Sequence, residues 1–168
     1  MSSSRICPLV PARPQGITHP TRKPAALAYS FTVPGEPRSA AVARDTVRTA
    51  LYAHGLAALA EPGTLVASEL VACAARFAPG EALYLSLSWR DSALRTVLWD
   101  PHPARHHDPV ATAICAAGRK RLLLLLACVV RECRGKWGVG KPVPADEGTT
   151  VWVSLPLGGA VSYTEARC

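Results

Sequence analysis

The chain has 168 residues, of which 49% are hydrophobic and 18% charged. That is enough apolar material for one packed domain of ordinary size, and it excludes wholesale disorder. The net charge of +7 is uneven: residues 1–27 carry Arg5, Arg13, Arg22 and Lys23 and no acid, while Tyr29 to Leu157 holds 14 basic and 11 acidic residues. A basic leader therefore precedes a nearly balanced domain. No aromatic side chain is interleaved with those four cations, which argues against a base-stacking nucleic-acid platform.

Only 6% of the residues are aromatic and 28 are alanine, so the core is built from Ala, Leu and Val. Asparagine is absent, which removes any chemistry that needs an Asn side chain. The six cysteines (Cys7, Cys73, Cys115, Cys128, Cys133, Cys168) form no C-x-x-C pair. Free thiols in a reducing cytoplasm are expected, rather than a zinc ribbon or a disulfide framework. The N-terminus, MSSSRICPLVPARPQG, has no apolar h-region, so no secretory signal is expected. The longest apolar run, Leu122 to Val130, is nine residues. It is far short of the roughly 20 that span a bilayer and reads as a buried helix.

In chain order, residues 1–27 contain five prolines and no hydrophobic period, and read as a disordered leader. Ala28 to Val33 is an extended run broken by Pro34-Gly35. Glu36-Pro37 opens a helix with Ala40, Ala43, Val47, Ala50, Leu51 and His54 on one stripe, closed by Gly55. A second helix is expected from about Pro62 to Ala78, ended by Pro79-Gly80. Ala82 to Arg90 alternates, with Leu83, Leu85, Leu87 and Trp89 on one face. Asp91-Ser92 turns the chain, and Leu94, Thr96 and Leu98 continue on the returning strand. Residues 101–117 read as a mobile loop. A helix is expected from about Arg119 to Arg134, then a short strand at Trp137 to Val139. Residues 140–148 form a loop, Thr149 to Leu157 the last strand, and residues 158–168 a flexible tail. This order predicts an α+β two-layer sandwich, with a mixed, mostly antiparallel sheet and helices on one face.

Four phrases in this order carry a resemblance: VPGEPRSAAVARDTVRTAL (Val33 to Leu51), SELVACAARFA (Ser68 to Ala78), VLWD (Val97 to Asp100), and KWGV with GTTVWVSLPL (Lys136 to Val139, Gly148 to Leu157). The chain resembles the GHKL ATPase/kinase superfamily, and within it the small anti-sigma-factor serine kinases. The resemblance implies the histidine-kinase-like ATPase fold over residues 28–157, and ATP held with Mg²⁺.

Relatives carry Glu and, four residues on, Asn on one helical face, the Glu acting as base and the Asn oxygen holding Mg²⁺. Here Glu69 matches the Glu and Cys73 stands at the Asn position, a soft ligand ill matched to that cation. Arg76 matches a basic residue of relatives, and Phe77 stands where many have His. Asp100 matches the adenine-binding Asp, followed by Pro101, His102 and Pro103 instead of glycines. Of the phosphate loop only Gly118 remains, in Gly118-Arg119-Lys120-Arg121-Leu122, where the basic residues oppose the dipole of the expected helix start and would draw phosphate. Thr150 matches a threonine near the adenine. The site implied is thus Glu69, Cys73, Arg76, Asp100, Gly118, Arg119, Arg121, Leu122 and Thr150, with Glu69 the catalytic residue and Mg-ATP binding weakened.

Two modes follow from the resemblance. One is an ATP-binding regulatory kinase that phosphorylates an anti-sigma antagonist and captures a sigma factor. The other is a degenerate relative that works by protein–protein contact alone, with a homodimer open in either case. A third reading is a basic nucleic-acid- or metal-binding protein that merely shares the layout, resting on the charge and on His102, His106, His107 and Asp108, with Cys115 beyond. Imidazole and thiolate suit zinc, yet no fixed ligand spacing is present, and no metal ligand is assigned.

Overall fold

The computed structural model describes residues 27–140 and 148–166. Most of the leader expected over residues 1–27 and part of the 140–148 loop lie outside these. Leu27, expected in the leader, instead belongs to the core: it is fully buried, and its carbonyl accepts a hydrogen bond from the Trp89 amide at 2.9 Å.

The strands are β1 (Ala28–Pro34), β2 (Ala82–Arg90), β3 (Ala93–Asp100), β4 (Lys136–Gly140) and β5 (Thr149–Pro156). The helices are α1 (Ser39–Ala53), α2 (Ala60–Phe77), α3 (Pro109–Leu122), α4 (Leu124–Glu132) and α5 (Leu157–Glu165), with a 3-10 turn over Ala57–Leu59 before α2. The sheet order is β1-β2-β3-β5-β4. Its four pairings are all antiparallel, in line with the mostly antiparallel sheet expected. The architecture is α+β, an open five-stranded sheet in a two-layer arrangement.

Period-2 patterning sends one face of the sheet inward. Leu83, Leu85 and Leu87 of β2, Leu94 and Leu98 of β3, and Val151, Val153 and Leu155 of β5 are buried. Against them lie Val66, Leu70, Val71 and Ala74 of α2 and Val47 and Leu51 of α1, in one core cluster. The other face carries Tyr84 and Trp152, both exposed. Asp91 and Ser92 close the β2–β3 hairpin at φ 52° and 56°, the left-handed pair that a tight two-residue hairpin needs. Helix α1 ends as expected at Gly55, whose φ is +70°. The Leu56 amide reaches back to the Leu51 carbonyl and the Gly55 amide to Tyr52, a Schellman closure.

Several expectations are corrected. Helix α2 starts at Ala60, not Pro62, because proline is tolerated in a first turn and does not mark where it begins. The stretch read as a mobile loop over 101–117 becomes helical at Pro109: Asp108 caps α3, its carboxylate accepting from the Val110 amide at 2.9 Å, with Pro109 in the first turn. The segment read as a tail forms α5, with Gly159 and Ala160 buried.

The helix expected over 119–134 is in fact two, α3 and α4, meeting at the buried Leu123. The apolar run 122–130 is buried on one side only: Leu126, Val129 and Val130 point inward, while Leu124, Leu125 and Cys128 are exposed. The segment Ala57–Phe77 is long and apolar enough to cross a membrane, yet two-thirds of it is buried as the central helix of this fold.

Candidate functional site

Asp100 ends β3, and its side chain points to the core face, where it is completely buried. A buried carboxylate needs a charged partner and satisfied lone pairs. Arg119 of α3 supplies both: Nη1 donates to Oδ2 at 2.6 Å and Nη2 to Oδ1 at 3.1 Å, with the arginine only 4% exposed. Oδ1 also accepts from the His102 amide at 3.1 Å. Arg119 is the one buried residue of α3, so this helix is anchored by an ion pair rather than by an apolar stripe.

The Arg119 guanidinium carbon lies 4.2 Å from the centre of the Phe77 ring, a cation–π contact. Phe77 in turn meets His102 at 5.1 Å between ring centres, and His102 meets His106 edge-on at 5.2 Å. The loop 101–108 is pinned from both ends. The Thr149 hydroxyl donates to the His102 carbonyl at 2.8 Å, and the Thr112 hydroxyl accepts from the His106 amide at 2.8 Å.

Glu69, Cys73 and Phe77 recur every four residues on α2 and so share a face. Cys73 is buried, and burial pushes its thiol up to about 11, with Asp100 and Glu69 adding to the rise and Arg119 and Arg76 opposing it. Burial also raises Glu69 from its ordinary value. The fold thus gathers Glu69, Arg76, Asp100 and Arg119 around Cys73, from three different stretches of sequence.

Other expected site residues are placed differently. Thr150 faces the opposite side of the sheet from Asp100. Its neighbour Thr149, paired with Asp100 in register and buried, is the threonine at the site. Gly118 lies inside α3, and Arg119, Lys120 and Arg121 fill its last turn. They therefore complement the helix dipole instead of opposing it. Gly118 therefore offers no helix N-terminus to phosphate; the next one, of α4, begins only at Leu124. Arg121 and Leu122 are exposed, so neither is built into the buried pair.

The arrangement does not fit Mg-ATP. Asp100 is fully buried and already accepts three hydrogen bonds, two from Arg119 and one from the His102 amide, so an adenine amine reaches it only if Arg119 moves away. Among the described residues, the cavity between His102, Cys115, Arg119 and Thr149 holds about 60 Å³, against roughly 300–1,000 Å³ for ligand pockets. A neutral, buried Cys73 thiol offers Mg²⁺ no hard oxygen. Reading from sequence missed Phe77 as the platform under Arg119, and it missed the Asp100–Arg119 pair. The Asp108-Pro109 helix start was the signal that would have turned Arg119 toward the core.

No protein-family model matches this sequence, and no curated protein matches it. The GHKL resemblance therefore rests on the four sequence phrases alone.

Proposed function

We propose that this chain is a regulatory protein of the anti-sigma-kinase type that works by binding a protein partner, a sigma factor or its antagonist, without using Mg-ATP. The observation that carries this reading is the closed ion pair between Asp100 and Arg119, which occupies the position where the resemblance would seat adenine. Cys73 in place of a metal-binding Asn supports it from a second side. Helix α3 supports partner binding: with Arg119 its one buried residue, Val110 and Ile114 stand 63% and 66% exposed, and exposed apolar side chains of this kind mark contact surfaces when they cluster.

The test is a titration of purified sigma factors and antagonist proteins against the full chain, with and without Mg-ATP. Saturable binding to one of them, with the same Kd in both conditions, is expected. Transfer of labelled phosphate to the antagonist, or binding that requires ATP, would overturn the reading in favour of a working kinase. A second copy of the chain as the bound partner would appear as concentration-dependent sedimentation in the absence of any other protein.

A further inference from the structure

The loop 101–108 and helix α3 bring two imidazoles and a thiol together beside the buried ion pair. One ring nitrogen each of His102 and His106 and the Sγ of Cys115 all lie within 4.8 Å of one another. Among the described residues, the buried side-chain polar atoms without a hydrogen-bond partner are the Nε2 atoms of His102 and His106. Buried polar groups are almost always satisfied, so two imidazole nitrogens without a partner, clustered with a thiol, point to a missing ligand.

We propose that His102, His106 and Cys115 form a binding site for a zinc-class divalent cation, held by two imidazole nitrogens and one thiolate. The chemistry of the donor set selects the ion: imidazole and thiolate suit zinc and its neighbours and do not suit magnesium or calcium. A tetrahedral zinc with bonds of about 2.0–2.3 Å sets its donors about 3.3–3.6 Å apart. The three donors therefore close on an ion by movements on the order of an ångström. The cavity of about 60 Å³ bordering His102 and Cys115 has room for water at a fourth position, since one water takes about 30 Å³. Three protein ligands with an open fourth place is the pattern of an accessible site rather than of a closed structural one.

The surroundings hold the donors in place. The His102 amide is fixed by Asp100 and the His106 amide by Thr112. Burial lowers the His102 imidazole, helped by Arg119 and His106 and opposed by Asp100 and by a hydrogen bond at the Phe77 backbone. Asp108 is engaged as the α3 cap and His107 is exposed, so neither belongs to the set. Nothing in this site depends on nucleotide, and it stands whether or not the partner-binding reading holds.

The test is a cobalt titration of the full chain, purified under reducing conditions and stripped with chelator. One cobalt per chain is expected, with a thiolate-to-cobalt charge-transfer band, four-coordinate visible bands and displacement by zinc. Cys115→Ser should lose the charge-transfer band while Cys128→Ser keeps it. His106→Gln should weaken binding at least tenfold with an unchanged far-ultraviolet spectrum, and it carries the test by itself if Cys115→Ser does not fold. No thiolate band in the parent chain, a band that survives Cys115→Ser, or affinity unchanged in His106→Gln would overturn the proposal.

Discussion

Arg119 meets Asp100 through two parallel hydrogen bonds, of 2.6 and 3.1 Å, at a point that solvent does not reach from either side. Removing one member of a buried pair strands the other charge. Arg119→Ala is expected to cost about 3–5 kcal/mol in urea unfolding. Replacing both, as Asp100→Leu with Arg119→Met, is expected to recover most of that, because the buried charges are then gone together. Equal losses in the single and double variants would show that the pair is not what holds α3.

Cys73→Asn restores the side chain that the resemblance assigns to Mg²⁺. It is expected to bring no gain in ATP affinity, because Asp100 stays locked by Arg119. The buried amide, at a position only 4% exposed, should also cost about 1–3 kcal/mol unless it finds partners. Calorimetry with and without Mg²⁺ reads the first effect, and urea unfolding the second. Tightened binding would mean that metal coordination alone was missing.

Thiol chemistry separates the cysteines by burial. Burial pushes both Cys73 and Cys133 up to about 11, and only the thiolate is nucleophilic. At pH 8 about one in a thousand of these thiols is ionised, so alkylation of the folded chain should leave both intact while the exposed Cys128 is modified. Their ionised fraction grows as pH rises toward 11, and labelling should rise with it. Mass spectrometry after denaturant-free alkylation checks this, and Cys73 reacting as fast as Cys128 would contradict it.

A matched pair of glycines tests the docking of α5. A Cβ at Gly159 collides with the Cys133 carbonyl, whereas at Gly158 it meets nothing within 4 Å. Gly159→Ala is expected to destabilise by about 1–3 kcal/mol. Gly158→Ala is expected to be neutral, or to stabilise by up to about 1 kcal/mol through reduced chain entropy. Thermal melts of the two variants should therefore move apart.

Much of the frame was legible because its signals are local. Alternation over Ala82 to Arg90 and the turn at Asp91-Ser92 specify the hairpin, and the α1 stripe with Gly55 specifies that helix and its end. What was not legible depends on distance or on register. Helix α3 has no apolar stripe, since its single buried side chain is an arginine whose partner lies 19 residues away, and no periodicity reports such a pair. Helix α5 begins with Leu157-Gly158-Gly159, which reads as flexible chain until the close approach to Cys133 explains the small residue. Thr150 was one residue off: on a strand a single step changes the face, and only the Asp100–Thr149 register identifies the threonine beside the site. His102, His106, His107, Asp108 and Cys115 read as a group without ligand spacing, and which of them converge becomes visible only when α3 begins at Pro109.

The most direct measurement of the central claim is an ATP titration of the full chain by calorimetry, with and without Mg²⁺, followed in parallel through the fluorescence of Trp99, the residue before Asp100. A site closed by Arg119 predicts no saturable signal up to millimolar ATP in either condition. Saturable binding at micromolar ATP would mean that Arg119 releases Asp100 to the nucleotide, and would contradict the account.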